Sequence, residues 1–328
     1  MKEKKGGKIG LLAALLILLV GGLLGIDTSG LLKSADAESA SGYSAEAGQA
    51  SKKKGNVTSP VSRNTDGSFL QVHYMDVGQG DATLIVCDGQ AMLIDAGNNN
   101  QGTAVQSYLS SQNVETLDYV IGTHPDADHV GGLDVVITKF DCKTILLTEE
   151  ERDTITYRGV LESIKYKGYQ RTDPKVGDTY QLGSAEFTIV GPGRLTSDSN
   201  DNSIAILLRH GSNAFYFEGD AGEKEEEDIL DCGVDLAADV YKIGHHGSKT
   251  STSDELLDSV DPGYAVISVG EDNRYGHPNA EVLNKLRKAG VQVFRTDEQG
   301  TVVVESDGEQ LTFNCPPSET WQAGEPRK

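Results

Sequence analysis

His124, Asp126, Asp128 and His129 lie within six positions of one another, in the stretch THPDADHVGG. A helix would spread these side chains around its axis, and strict strand alternation would place His129 on the face opposite to the others. A loop at the end of a strand can direct all four to one point. Because imidazole and carboxylate groups bind divalent metal ions, the cluster predicts a metal site, where a cation offsets the cost of gathering buried carboxylates.

The elements on either side of this cluster are predicted to position it. LDYVIGT, residues 117–123, is apolar and β-branched and predicts a buried strand, and GLDVVITKF, residues 132–140, predicts a helix. The junction between the end of a strand and a helix is a common place for a site. Other polar residues also follow apolar runs: Asp95 after AMLI, Asp220 after AFYFEG, His245 and His246 after VYKIG, and His277 later in NRYGHP.

The order of the predicted elements indicates the fold class. Strands are predicted at 69–77, 82–87, 91–97, 118–122, 144–148, 185–191, 203–211, 213–220, 238–244, 263–270, 291–296 and 300–306, and helices at 103–111, 157–168, 222–232, 253–260 and 279–290. GQGD and DGQ, between the first three strands, are predicted to be hairpin turns. A strand-rich beginning followed by mixed strands and helices predicts an α/β (α+β) fold, with two sheets packed face to face and helices outside.

The N-terminal residues are predicted to lie outside this fold. Lys2, Lys4, Lys5 and Lys8 precede an uncharged apolar run from Ile9 to Ile26, which is just long enough to span a bilayer. Residues 1–27 are therefore predicted to be a membrane anchor. The alternative is a signal peptide with the cleavage-site pattern Ala35-Asp36-Ala37. Either one places the body outside the cytoplasm, anchored to the membrane or secreted.

Composition divides the rest of the chain. Residues 28–66 are rich in Ser, Ala, Gly and Lys and predict a disordered linker. Residues 67–316 are predicted to form the folded domain, and residues 317–328 a polar C-terminal tail. The four cysteines show no C-x-x-C spacing, which excludes a zinc ribbon or a thioredoxin motif.

The charge of the chain limits its partners. The net charge is −21, and residues 1–55 hold eight Lys against five Asp and Glu, which leaves −24 for the remainder. An acidic body does not attract nucleic acid over its whole surface. An anionic substrate is therefore expected to be held locally, by metal ions.

Six motifs resemble, in order, those of a known family. MDVGQGDA, HPDADHVGG, DNSIAILL, GDA, HHGSKTS and NRYGHP resemble the extracellular hydrolase domain of ComEC-type DNA-uptake competence proteins, within the metallo-β-lactamase superfamily. THPDADHVGG is similar to the H-x-H-x-D-H signature of that superfamily, with Asp126 at the second histidine position. The resemblance implies an αββα sandwich, a divalent-metal centre and hydrolysis of phosphodiesters.

The resemblance also implies roles for individual residues. The implied metal ligands are His124 and Asp126 for a first ion, Asp128, His129 and His245 for a second, and Asp220 as the bridge between them. His246 is the alternative to His245, and Asp95 would orient the cluster loop. A histidine that the superfamily places before the bridging aspartate is missing, and Asn200, Asp201 or Asn202 is the candidate oxygen ligand in its place. The expected cofactor is one or two divalent ions, Mn²⁺ or Zn²⁺, and oxygen-rich ligation favours Mn²⁺ or Mg²⁺ relative to zinc.

Further residues are candidates for contact with the substrate. His277, in a loop bounded by Gly and Pro, is expected to protonate the leaving oxygen or to hold a phosphate. Lys249 is a weaker candidate for a phosphate contact. Asp76, Gln79 and Asp81 lie in the glycine-rich hairpin, where either a role at the site or turn chemistry explains them.

The sequence thus predicts an extracytoplasmic metal-dependent phosphodiesterase or nuclease that acts on DNA, with Asp128, Asp220 and His277 as catalytic residues. One alternative is hydrolysis of another phosphoester or ester at the cell envelope. The other is a non-catalytic binding module tethered to the membrane. The chain has no second apolar run long enough to span a membrane, so any DNA channel is expected to be a separate protein.

Overall fold

Two β-sheets lie face to face and carry helices on their outer surfaces in the computed structural model, which describes residues 69–150 and 152–326. The predicted anchor from Ile9 to Ile26 and the predicted linker at 28–66 lie outside the described residues. None of the helices in the described part of the chain has the length and apolar character that crossing a membrane requires.

Strands and helices alternate along most of the chain. The strands are β1 (Leu70–Tyr74), β2 (Thr83–Cys87), β3 (Gln90–Ile94), β4 (Thr116–Gly122), β5 (Asp141–Leu147), β6 (Arg171–Thr172), β7 (Thr179–Leu182), β8 (Ala185–Gly191), β9 (Ala205–His210), β10 (Asn213–Phe217), β11 (Val240–Lys242), β12 (Tyr264–Ile267), β13 (Gln292–Arg295), β14 (Val302–Ser306) and β15 (Leu311–Phe313). The helices are α1 (Gly102–Ser111), α2 (Ala127–Val130), α3 (Leu133–Lys139), α4 (Ile155–Lys167), α5 (Glu223–Leu230), α6 (Asp254–Val260), α7 (Ala280–Ala289) and α8 (Thr296–Gln299).

Each sheet joins an antiparallel part to a parallel part. The first sheet has the order β15-β14-β1-β2-β3-β4-β5-β6, and β3 to β6 run parallel. The second has the order β13-β12-β11-β10-β9-β8-β7, and β10 to β13 run parallel. Parallel strands end at the same edge of a sheet, so the loops after β3, β4, β10 and β11 are able to meet there.

Three apolar clusters hold the layers together. The cluster between the sheets includes Met92 and Ile121 of the first sheet and Phe187 and Phe215 of the second, all fully buried. A second cluster packs the outer face of the first sheet against α1, α3 and α4, and a third packs the second sheet against α5, α6 and α7. The layers are therefore helix, sheet, sheet and helix, which confirms the predicted mixed fold.

Helix α4 shows how the sequence specifies an element. Tyr157, Val160 and Ile164 recur at helical spacing and are buried in the cluster of the first sheet. At its start, the Thr154 hydroxyl accepts a hydrogen bond from the Tyr157 backbone N–H at 3.1 Å. At its end, Gly168 has φ +74°, which lets the chain leave the helix without a Cβ clash.

Most predicted elements are confirmed, and β8 has the predicted bounds, 185–191. The short strands β6, β7 and β15 were not predicted. GQGD lies in the hairpin connection between the antiparallel strands β1 and β2, but this connection is the loop 75–82 and is longer than the predicted turn. In that loop Asp81 donates its backbone N–H to the Asp128 carbonyl at 3.0 Å, and a Cβ at Gly80 would lie 2.4 Å from the same oxygen. The loop is thus fixed against the predicted metal cluster.

The described part of the predicted tail, residues 317–326, packs on the folded body. Trp321 is partly buried against the cluster of the second sheet. Gly324 donates its backbone N–H to the Pro278 carbonyl at 2.9 Å, next to His277. This segment therefore supports the loop that carries His277.

Candidate metal centre

Four buried side chains converge at the edge where the parallel strands end. Asp81, His129, Asp220 and His246 each offer one ligand atom, and these atoms all lie within 4.8 Å of one another. His129 lies on the short helix α2 that follows β4, and the other three come from the segments after β1, β10 and β11, so both sheets contribute. A group of two imidazoles and two carboxylates has the donor chemistry of a divalent-metal site.

Asp220 lies at the centre of this group. Its Oδ1 atom is 3.2 Å from His129 Nε2, and its Oδ2 atom is 3.5 Å from His246 Nε2. Oδ2 is also 3.7 Å from His245 Nε2. Asp220 thus faces three imidazoles and lies at the centre of the candidate ligand set.

Asp95 fixes the orientation of His129. The Asp95 Oδ2 atom is 2.9 Å from His129 Nδ1 and also accepts the Thr123 hydroxyl at 2.7 Å, while Oδ1 accepts the Thr123 backbone N–H at 2.9 Å. A carboxylate on one ring nitrogen leaves the other free to bind a metal. Asp95 therefore acts on the site through His129.

His124 lies at the inner wall of the site, and Asp126 lies outside the buried group. The His124 ring is 4.1 Å from the His129 ring between centroids, and its Nδ1 atom is within 3.2 Å of the Ser203 hydroxyl. The Asp126 carboxylate accepts the Ser199 hydroxyl at 2.9 Å instead. Of the implied pair for a first ion, His124 faces the cluster in this structure and Asp126 does not.

The two adjacent histidines after β11 occupy different positions. Both have a left-handed backbone, with φ +48° at His245 and +54° at His246. The His246 ring is buried, with Nε2 3.6 Å from Asp128 Oδ2 and Nδ1 3.5 Å from Asp81 Oδ1. The His245 side chain is 25% exposed and its Nδ1 atom contacts the Thr250 hydroxyl at 3.2 Å. The structure thus places His246, the alternative in the sequence prediction, in the buried group.

Five buried polar atoms here lack a well-aligned hydrogen bond among the described residues, although two of them, His129 Nε2 and Asp220 Oδ1, lie 3.2 Å apart. They are His124 Nε2, His129 Nε2, His246 Nε2, Asp81 Oδ1 and Asp220 Oδ1. Buried polar atoms are almost always paired, because burial without a partner is unfavourable. A divalent cation would satisfy them together. The residues present therefore fit a metal ion.

The charges of the group are interdependent. Burial raises the pKa of Asp220, but the His129 and His246 imidazoles outweigh burial and hold that pKa well below its usual range. Burial lowers the pKa of His129, but Asp220 and Asp95 outweigh it and raise the pKa well above its usual range. For His124, burial and then His129 lower the pKa to about 4. Without a metal the group thus balances its carboxylates with histidine protons.

Lys242 supplies a fixed cation beside the group. This lysine is 3% exposed, and its ammonium forms an ion pair with Asp81 and donates to the Ile243 carbonyl at 3.1 Å. Burial raises the pKa of Asp81, but Lys242 together with His246 and His129 outweighs burial and holds that pKa below its usual range. The sequence motifs assign no role to Lys242 and leave the role of Asp81 open. The signals were a lysine inside the apolar run VYKIG and an aspartate just before a buried strand.

Asp128 and His277 lie at the mouth of the site. The Asp128 side chain is 26% exposed and lines a pocket of about 440 Å³. The His277 ring is 5.6 Å from the His245 ring, and its buried Nδ1 atom has no partner among the described residues. Burial, followed by His246 and His245, lowers the pKa of His277 to about 4, so the free ring is neutral at pH 7.

The remaining candidates lie outside the buried group. The Asn202 amide is buried, accepts the Thr196 backbone N–H at 2.6 Å and donates to Glu150 at 2.9 Å. Asp201 accepts the Gly222 N–H at 3.3 Å, and exposed Asp76 accepts the Gly78 N–H at 3.1 Å. Lys249 is exposed on the surface, and Gln79 lines the pocket beside Asp128. The oxygen ligand expected from residues 200–202 is thus not part of the four-residue group.

Comparisons with known proteins agree with this geometry. Residues 75–271 match the family model of the metallo-beta-lactamase superfamily. ComE operon protein 3 of Bacillus subtilis is 29% identical over 76% of this chain and 35% of its own length. Recombination protein 2 of Haemophilus influenzae is 32% identical over 71% of this chain and 28% of its own length. Competence protein ComA of Neisseria gonorrhoeae is 31% identical over 69% of this chain and 31% of its own length.

The chain therefore spans about a third of the length of these curated relatives. The matches confirm the resemblance to competence proteins of the ComEC type. The family model covers more than half of the chain, and its range contains all four residues of the buried group. On this evidence the chain belongs to the metallo-β-lactamase superfamily.

Proposed function

We propose that this chain is a metal-dependent phosphodiesterase that hydrolyses DNA outside the cytoplasm. The observation that carries the proposal is the buried group of Asp81, His129, Asp220 and His246, whose unpaired nitrogen and oxygen atoms fit a divalent cation. A divalent ion held there supplies Lewis-acid chemistry, since it activates water and offsets negative charge on a phosphoryl group. An enzyme with a body charge of −24 needs such a local cation to hold an anionic substrate.

The residues of the chain itself orient this chemistry. Asp95 holds the His129 ring through Nδ1, so that Nε2 faces Asp220. Lys242 fixes one oxygen of Asp81. His277 stands at the mouth with a ring nitrogen that has no partner among the described residues, and it donates a hydrogen bond to a phosphoryl oxygen as a neutral imidazole.

The choice of DNA as the substrate is supported by the relatives. Two of them are named as competence or ComE operon proteins and the third as a recombination protein. The apolar run from Ile9 to Ile26 behind four lysines supports attachment to a membrane, with the body outside the cytoplasm. These assignments are independent of the metal chemistry and are tested separately.

The central experiment measures metal content and cleavage together. The full chain is purified in detergent, and its rate is measured on single-stranded DNA, on double-stranded DNA and on a nitrophenyl phosphodiester, with Mn²⁺, Mg²⁺ or Zn²⁺. We expect cleavage of phosphodiesters that requires a metal and is lost in Asp220→Asn. Absence of phosphodiester cleavage with every metal would overturn the proposal, and hydrolysis of carboxyl esters or lactams alone would assign a different substrate.

Location is tested by adding protease to intact, wall-stripped cells. We expect release of the body into the medium. Full protection of the body in cells that remain sealed would contradict an extracytoplasmic location.

A further inference from the structure

An exposed aromatic side chain stands beside the candidate metal centre. Tyr275 is 46% exposed and lines the pocket of about 440 Å³ that Asp128 also lines. Four other large hydrophobic side chains are exposed in the described part of the chain, and none of them lines this pocket. An exposed aromatic ring at the mouth of a site is a feature of recognition surfaces.

Tyr275 belongs to a short stack that ends in solvent. Its ring lies nearly parallel to the His277 ring, with centroids 5.5 Å apart and planes 20° apart. The Arg274 guanidinium carbon is 4.8 Å from the Tyr275 ring centroid, and its Nη2 atom donates to the Tyr275 hydroxyl at 2.5 Å. We call the exposed pair Arg274 and Tyr275 the platform. It presents a ring and a guanidinium plane, both of which stack on nucleobases.

A buried asparagine holds the platform in place. The Asn273 side-chain carbonyl accepts the backbone N–H groups of Tyr275 at 3.1 Å and His277 at 3.0 Å. The amide nitrogen of Asn273 donates to the His277 carbonyl at 2.6 Å and to the Gly270 carbonyl at 3.0 Å. A ring fixed in this way loses little conformational entropy when it binds a ligand.

The pocket beside the platform suits a nucleotide. Its volume is within the range of small-ligand sites. The pocket is lined by one acidic residue, Asp128, and one basic residue, Arg274. The side-chain amides of Gln79, Asn98 and Asn273 complete its polar lining. The Gln79 amide nitrogen is buried and has no acceptor among the described residues, so an oxygen of a ligand or of water is needed to satisfy it.

We propose that the platform is a stacking subsite for an unpaired nucleobase of the strand whose phosphate lies at the metal centre. The inference rests on the proposed function and deepens it, because it names single-stranded DNA as the preferred substrate. Base faces are free only in unpaired strands, and stacking is tolerant of sequence. Arg274 is the one cationic side chain that lines the pocket. The pocket's contribution to binding of the DNA strand is therefore expected to come from base stacking more than from contacts to phosphates.

The experiment compares ligands that differ only in their bases. Binding of a labelled single-stranded oligodeoxynucleotide, and of an abasic oligomer of the same length, is measured by fluorescence anisotropy on the full chain. Phosphorothioate linkages in both oligomers slow cleavage while the metal stays in place, and the temperature stays below the unfolding transition. We expect the oligomer with bases to bind wild type more tightly, and Tyr275→Ala to weaken it by about tenfold or more. Binding of the abasic oligomer should not change.

Two variants serve as controls. Tyr275→Phe keeps the ring and should keep most of the base-dependent affinity. Tyr166→Ala removes a tyrosine that is 82% exposed on α4 and should change nothing. Equal weakening of both oligomers by Tyr275→Ala, or equal binding of both by wild type, would overturn the subsite.

Further binding measurements show whether the stacked base comes from single-stranded DNA, from a duplex or from RNA. A duplex of the same sequence should bind more weakly than the single strand, and tight duplex binding that depends on Tyr275 would overturn the preference for unpaired bases. Tighter binding of an oligoribonucleotide than of the deoxy strand would overturn the assignment to DNA. If wild type cleaves no phosphodiester but binds bases through Tyr275, the proposed function fails and the subsite stands. If it cleaves DNA but Tyr275→Ala leaves base-dependent binding intact, the subsite fails alone.

Discussion

The Nδ1 atom of His129 lies 2.9 Å from Asp95 Oδ2, and the Nε2 atom of the same ring lies 3.2 Å from Asp220 Oδ1. One imidazole thus connects a carboxylate behind the site to the carboxylate at its centre. Since Asp95 and Thr123 hold the ring from behind, the direction of Nε2 is set before any metal binds.

Asp95→Asn should therefore weaken metal binding while leaving the chain folded. Asparagine tolerates the left-handed backbone at this position, φ +58°, but it has one acceptor oxygen fewer for His129 and Thr123. We expect a loss of metal affinity of about 10- to 100-fold, measured by competition with a metal-sensitive dye. Asp118→Asn is the matched control, because Asp118 is a buried acid that bonds Lys143 and the Ala91 N–H instead. If both variants bind metal like wild type, Asp95 does not orient the site.

Removing metal should lower the melting temperature. Asp81 and Asp220 remain buried side by side without the cation, and a ligand present at 100 times its Kd stabilises the folded state by about 2.7 kcal/mol. The measurement is a thermal melt with and without excess chelator, accompanied by metal analysis. Asp220→Asn should show a much smaller difference between the two conditions. An unchanged melting curve in protein shown to have lost its metal would count against the site.

Asp220→Asn should reduce activity more than a change at any single imidazole. Asp220 faces His129, His245 and His246, whereas each of those rings turns one nitrogen toward Asp220. We compare it with His245→Gln at saturating Mn²⁺, with far-ultraviolet circular dichroism to show that both variants fold. An equal loss in His245→Gln would show that the partly exposed ring is as important as the buried carboxylate.

The histidines after β11 show where prediction from sequence reaches its limit. The motif HHG places two rings next to each other, and both residues take a left-handed backbone, so the sequence gives no sign of which ring turns inward. Asp81 was undecided for a related reason. Its position depends on a hydrogen bond to the Asp128 carbonyl and on Lys242, 161 residues away, and such contacts are not visible in local spacing.

Local sequence patterns were sufficient to predict those features that depend on a single strand or helix. THPDADHVGG lies between a buried strand and a short helix. Apolar periodicity and the order of the motifs therefore sufficed to predict that His129 and Asp220 lie together near the end of β11. Strands β6, β7 and β15 have only two to four residues. The alternation of Tyr180 with Leu182, and of Leu311 with Phe313, faces the core but is too short to indicate a strand. Their place at the sheet edges is set by neighbouring strands.

His277 should act as a hydrogen-bond donor and not as the acid for the leaving group. Its pKa is lowered to about 4, first by burial, so the protonated form is scarce at pH 7. His277→Ala should lower kcat by about 10- to 100-fold, the range of a hydrogen bond to a charged group, and equally on DNA and on a nitrophenyl phosphodiester. His277→Gln, which keeps an N–H donor, should recover most of the rate. A loss that is large on DNA and small on the nitrophenyl ester would assign the acid role instead.

Glu225 on α5 should make stability depend on pH independently of the metal centre. Its side chain is buried, Oε1 accepts the Gly193 N–H at 2.7 Å, and Oε2 has no partner among the described residues. Burial raises the pKa of Glu225 from 4.5 to about 7. Because the folded-state pKa is the higher one, the protonated carboxyl favours the folded state below about pH 4.5, and this contribution is lost as pH rises through 7.

Glu225→Gln should therefore gain stability relative to wild type as pH rises from 5 to 8, by roughly 2–3 kcal/mol, since each pKa unit corresponds to about 1.4 kcal/mol. The measurement is the difference in free energy of unfolding between variant and wild type at each pH, in chelator, so that metal binding does not contribute. Glu227→Gln removes the same charge from an exposed position on α5 and should show a nearly constant difference. A Glu225→Gln difference that is just as constant across this range would mean that the buried carboxyl already ionises at low pH, with Oε2 satisfied by water or by a cation.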